Sequence, residues 1–240
     1  MYTRNSVAGS LSIAAAVVLI VALFLGWYAI SATLLHPGSR VLTTTTFHLG
    51  QTLSESSSCS GLELGCPSPT STSSTYSGAG LNDTGHLYAV MEVAVVIGVL
   101  LGIIGGGLVL TLRKGKRPYW ATYLILAALV MAAVAPVGLS VLQPTALSND
   151  SYAKGTPASA ATSFFGSCNE TTCAPHNELF GVSESWGPGA GWYLAFVATV
   201  LFLASLLVAR AGPSRSVASS TPAASGSTPV PAVEAPRTTP

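Results

Sequence analysis

Four apolar runs without a single Lys or Arg constrain this chain more than anything else in it: residues 11–35, 87–112, 119–142 and 191–209. A helix of roughly 20 residues crosses a hydrocarbon core of about 30 Å, and each run is long enough. Only Glu92 is charged within them. Charged residues are 8% of the chain, against about 25% in soluble domains. The expected fold class is an all-α membrane protein, a four-transmembrane-helix bundle in a cell membrane.

Basic residues in short flanks set orientation. With the N-terminus inside, the cytoplasmic segments hold Arg4, Arg113, Lys114, Lys116, Arg117, Arg210, Arg215 and Arg237, whereas the external segments hold only Arg40 and Lys154. The plan is therefore a cytoplasmic N-terminus (1–10), external loop 36–86, cytoplasmic turn 113–118, external loop 143–190 and a cytoplasmic tail (210–240). The first apolar run is about twice the 7–15 residues of a signal peptide's apolar region, so it is expected to be retained. In the turn, Arg113, Lys114, Lys116 and Arg117 can meet anionic headgroups, at about 1 kcal/mol each. Pro136 is expected to kink the third span.

Within the second span, Gly98, Gly102 and Gly106 recur every four residues. The hydrophobic effect does not draw helices together in lipid, so close backbone approach along such a stripe must do it. The stripe is a helix-packing face, for a helix of this chain or of another copy. Glu92 is a candidate intramembrane ion or proton site; alternatively, it answers the dipole of an outward-facing helix N-terminus.

The first external loop has 18 Ser or Thr among the 35 residues from Thr43 to Ser77. With little apolar surface to offset chain entropy, it reads as flexible and solvated, or as an O-glycosylated stretch. The second loop has Phe164, Phe165, Leu179, Phe180 and Trp186 for a small cap. Asn82, Asn149 and Asn169 begin Asn-x-Ser/Thr sequons, all external, and are candidate glycosylation sites. The Pro-, Ser- and Thr-rich tail is expected to be disordered.

Cys59, Cys66, Cys168 and Cys173 are all external, where thiols oxidise. Three pairings are open, and structural disulfides are expected. Four-helix, quinone-coupled disulfide oxidases also expose two cysteine pairs, and this chain resembles them in that layout. Its spacings, Cys-x6-Cys and Cys-x4-Cys, are not their Cys-x-x-Cys. The four-helix, two-loop plan is similar to that of claudin-type and tetraspanin-type proteins. However, the Trp-Gly-Leu-Trp element of the former and the Cys-Cys-Gly of the latter are missing.

The four histidines (His36, His48, His86 and His176) lie outside the spans, so no haem site arises within the bundle. No phosphate loop or His-Glu-x-x-His is present, and no cofactor or metal is expected. The partners expected are membrane lipids and a protein partner or second copy, not nucleic acid. The functional expectation is a non-catalytic accessory subunit or surface scaffold working through its external loops. A membrane thiol–disulfide oxidoreductase is the alternative, and a small-solute or ion transporter the second alternative.

Overall fold

A computed structural model describes residues 2–36, 39–61, 68–111, 119–150, 163–169, 172 and 181–210. Four helices, α1 (Tyr2–Leu23), α2 (Asn82–Thr111), α3 (Tyr119–Asn149) and α4 (Ala190–Arg210), are long and apolar enough to cross a membrane. They pack as a ring, α1 against α2, α2 against α3, α3 against α4 and α4 against α1.

The all-α expectation is wrong. Six strands form one antiparallel sheet: β1 (Gly26–His36), β2 (Ser39–His48), β3 (Thr52–Gly61), β4 (Thr70–Thr75), β5 (Gly166–Cys168) and β6 (Gly181–Pro188). Their order is β4-β3-β2-β1-β6-β5. The fold is mixed α and β, with the whole sheet at the end of the bundle where α1 finishes and α4 begins. Two readings fall with the all-α class. Residues 26–35 are strand rather than the last turns of the first helix, and within the Ser/Thr tract residues 43–48, 52–61 and 70–75 are sheet rather than flexible loop.

Both corrections have a physical reason. After the turn at Phe24 and Leu25, the run Trp27 to Thr33 carries Trp27, Tyr28, Ile30 and Thr33, aromatic or β-branched residues that fit a pleated, half-buried surface. Tyr28 and Ile30 are buried on one face. The register slips between Gly26 and Tyr28, a bulge that turns consecutive Trp27 and Tyr28 both inward. Thr43 to Thr46 lack apolar surface but are β-branched, and antiparallel pairing with residues 29–32 supplies their hydrogen bonds. With α1 and α2 holding the ends of this segment, less chain entropy remains to be lost.

The glycine stripe packs within the chain. A Cβ at Gly98 would stand 3.4 Å from Met131 of α3, and one at Gly106 would stand 3.0 Å from the Gly9 carbonyl of α1. At Gly102, a Cβ would fall 2.6 Å from the Phe202 ring of α4. This one face thus meets all three other helices. Buried hydroxyls tie it further: Ser12 Oγ donates to the Gly102 carbonyl at 2.9 Å, and Ser205 Oγ to the Ala8 carbonyl at 2.7 Å. α3 stays helical through Pro136 and Pro144, and Trp192 Nε1 of α4 donates to the Pro136 carbonyl at 2.9 Å.

Gly102→Val should therefore lower stability by about 1–3 kcal/mol through overpacking. Nothing stands within 4 Å of a Cβ at Gly107, so Gly107→Ala should leave stability equal or higher. Thermal unfolding of both variants in mild detergent checks the contrast.

Candidate functional site

The sheet end of the molecule is assembled around the heads of α2 and α3. At 30 and 31 residues, these two helices are each about 45 Å long. α2 begins with free backbone N–H groups, which carry partial positive charge. Asp150, directly after α3 and 7% exposed, answers them. Its Oδ1 accepts from the Asp83 amide at 2.9 Å and its Oδ2 from the Thr84 amide at 2.8 Å. One carboxylate, on the residue that follows α3, so caps the start of the preceding helix, α2.

The sheet sits on this pair through an aromatic cluster. Phe47 lies 6.1 Å from both Tyr76 and Tyr88, and Tyr76 lies 5.3 Å from Tyr88, centroid to centroid. Tyr28 extends the cluster to Phe47 and Phe164, and Phe164 in turn reaches Trp192. Burial pushes the Tyr76 phenol up from its usual range, so it remains a neutral donor to the His48 carbonyl at 2.7 Å. Below the cluster, Gln143 of α3 and the Tyr88 hydroxyl are both fully buried, and neither has a hydrogen-bond partner.

Glu92 falls in the third turn of α2 and accepts from the Gly50 amide at 3.1 Å. It holds the β2–β3 turn, where Gln51 takes a φ of 58°. Of the histidines, His48 bonds Ser54 Oγ through Nε2 at 3.0 Å, and His86 is exposed. Among the described residues, no three His, Cys, Asp or Glu side chains converge as a metal-binding group. Asn82 opens α2 and Asn149 closes α3, both exposed beside the Asp150 cap, but the sequon hydroxyl of Thr84 is fully buried. Asn169 is exposed, and its Oδ1 accepts from Thr172 Oγ1 at 2.9 Å. Arg113, Lys114, Lys116, Arg117, Cys66, Cys173, His176 and the 211–240 tail lie outside the described residues.

Cys59 and Cys168 are both in disulfides. They stand on β3 and β5, four strand spacings apart across the sheet, or about 19 Å. A disulfide needs Cα atoms within about 7 Å, so these two do not bond each other. That removes one of the three pairings. Cys59 and Cys168 must take Cys66 and Cys173, in one order or the other.

Sequence reasoning missed Glu184. It lies on β6 and pairs with Ala32 of β1 on one side and Cys168 of β5 on the other. It is 7% exposed, and its Oε2 has no hydrogen-bond partner. Burial without compensation pushes its carboxyl up from the usual range. A strand alternation around Trp186 and Glu184 was the only signal available, and it is visible only once 181–188 is known to be strand.

No protein-family model matches the chain, and no curated protein is similar to it in sequence. The fold and site define it by architecture alone: among the described residues, four long helices topped by one six-stranded antiparallel sheet.

Two outcomes follow. Asp150→Ala removes both capping acceptors and should cost about 1–3 kcal/mol in detergent-solubilised protein. Glu184 binds its proton more tightly folded than unfolded, so its contribution favours the fold in acid. That contribution is lost as pH rises from the ordinary carboxyl value of 4.5 through the raised one. Glu184→Gln should flatten this slope and leave the protein more stable at neutral pH, as read by urea unfolding across pH.

Proposed function

We propose that the chain is a multipass plasma-membrane protein that works by binding, presenting its sheet outside the cell to a protein partner or to a second copy. Exposed aromatic side chains mark two levels on the helices. Phe24 (79% exposed) and Tyr193 stand at the sheet end, and Tyr119 and Trp120 (80% exposed) at the other. Such rings favour the headgroup level. Counted from Tyr119, about 20 residues of α3 match the thickness of a bilayer core. α2 and α3 then rise some 15 Å beyond the outer level and carry the sheet as a stalk. Glu92 falls at that level, where water is near, which favours its role as a tie to Gly50 over ion transport.

The observation that carries the binding reading is β4. All six of its residues, Thr70–Thr75, are exposed at the edge of the sheet. The strand holds no charge and no proline, the devices by which proteins usually blunt an open edge. An unguarded edge can accept a strand from another chain. The hydroxyl-rich face beside it, from Thr44 through Ser56 to Ser71, offers hydrogen bonds without a net charge.

Purification in mild detergent should bring down a stoichiometric partner or a homo-oligomer, and Ser73→Pro in β4 should release it without unfolding the bundle. A lone monomer under these conditions refutes the binding reading. After reduction of intact cells, an impermeant maleimide should label Cys59 and Cys168. A cysteine introduced at Gly115 should be labelled only after permeabilisation; the opposite pattern inverts the topology.

A further inference from the structure

The two cysteines that the sheet positions are in different surroundings. Opposite Cys59 is Val41, and no carboxyl faces it from the neighbouring strand. Directly opposite Cys168 is Glu184. Residues paired in antiparallel strands point to the same face, with Cβ atoms about 4.5–5.5 Å apart. Glu184 is thus a buried carboxyl beside a disulfide-bonded cysteine, and its Oε2 has no hydrogen-bond partner. A side chain of this kind costs stability, and such groups concentrate where proton transfer is needed.

We propose that the Cys168 disulfide is a thiol–disulfide exchange centre, with Glu184 as its proton donor and acceptor and a dithiol as the reacting partner. One thiolate of the dithiol attacks the sulfur bonded to Cys168, forming a mixed disulfide. The old S–S bond breaks, and its electron pair goes to Cys168 Sγ, which takes the Glu184 proton. The second thiol of the partner, once deprotonated, attacks the partner's first sulfur; the mixed disulfide breaks, and its electron pair goes to the other cysteine of the chain, which takes the proton the second thiol released. The partner leaves as a disulfide and the two cysteines of the chain are left as thiols, while Glu184 regains from solvent the proton that the first thiol gave up on becoming a thiolate. The reverse sequence reduces a partner disulfide to its dithiol and re-forms the Cys168 bridge, with Glu184 as base. Transfer is eased because a protonated leaving sulfur departs better than a bare thiolate.

The groups facing Glu184 leave it alone in this role among the described residues. Across β1 are Ile30, Ala32 and Leu34; on β5 are Gly166 and Cys168; on β6 itself are Val182 and Trp186. None carries a charge. Trp186 directs its Nε1 to the Ser163 carbonyl at 3.1 Å. Arg40, paired with Leu35, points to the opposite face of the sheet, and Glu55 lies three strands away.

The test uses the full chain in detergent with dithiothreitol as the dithiol. Reduction is followed from pH 4.5 to 8 by acid quench, alkylation and peptide mass spectrometry, with rates referred to the dithiothreitol thiolate at each pH. At Cys168 this rate should fall about tenfold or more as Glu184 loses its proton. At Cys59 it should be flat, an internal control that requires no variant. Glu184→Gln, close in shape, should make the Cys168 profile flat and slow it at the acid end. A wild-type Cys168 profile as flat as that of Cys59, or one unchanged by Glu184→Gln, overturns the proposal. Neither result bears on partner binding through β4, so the two readings fail separately.

Discussion

Two backbone amides at the head of α2 require an acceptor, and the carboxylate of Asp150 supplies it to both. Because Asp150 directly follows α3, this contact fixes where α2 starts relative to where α3 stops. The two helices can then stand as a rigid pair beyond the rest of the bundle. Everything at the sheet end builds on that pair: Tyr88 of α2 enters the aromatic cluster, Glu92 holds the β2–β3 turn, and Tyr76 leads from β4 into α2. Were the amides left bare, the first turn of α2 would fray, and the seat of the sheet with it.

Inside the bundle the constraint is proximity rather than charge. Helices in an apolar solvent gain little from burying leucine against leucine, so they must fit closely to attract at all. Many of the buried positions are small, with Ala8, Ala15, Ala16, Ala128, Ala132, Ala135, Ala195 and Ala198 lining the contacts, and Leu19, Ile125, Leu139 and Phe202 fill the space between them. Other large apolar side chains, Val93, Leu100, Ile104, Val137 and Leu207 among them, are turned outward. So much apolar surface facing outward is costly in water and neutral in lipid, so it supports the membrane reading independently of helix length.

The helical part of the fold was legible because its signal is compositional: long uncharged runs, a glycine every fourth position, aromatic rings near the ends. The sheet was not, for two reasons that can be assigned to residues. Tyr28 to Leu35 continues the apolar run of α1 without a charge or proline, so a strand was absorbed into a helix. The described strands between Thr43 and Thr75 failed the usual test for order because the tract is poor in apolar residues, whereas their order comes from tethered ends and from Thr as a strand former. Asp150 and Glu184 were illegible for a further reason. Their partners are 66 residues away in the first case and on two different strands in the second, so no local pattern marks either.

A sheet so poor in apolar side chains should not be equally firm throughout. Its buried anchors, Tyr28, Phe47 and Leu53, all lie in the rows nearest the helices. Moving away from them along β2 and β3, the pairs become Thr45 with Glu55, Thr43 with Ser57 and Val41 with Cys59. Backbone pairing persists there while burial fades, and local opening costs least where few apolar contacts must be broken. Cys59 sits in the distal part of this gradient, where a covalent bond can replace the missing core by limiting the freedom of the opened chain. Cys168 lies only one row nearer the helices, because Glu184 opposite it pairs with Ala32, Ala32 with Thr43, and Thr43 with Ser57, two residues along β3 from Cys59. The two bridges therefore stand at nearly the same height in the sheet, and what separates them is the neighbour across the strand pair, Val41 for Cys59 and the buried carboxyl of Glu184 for Cys168.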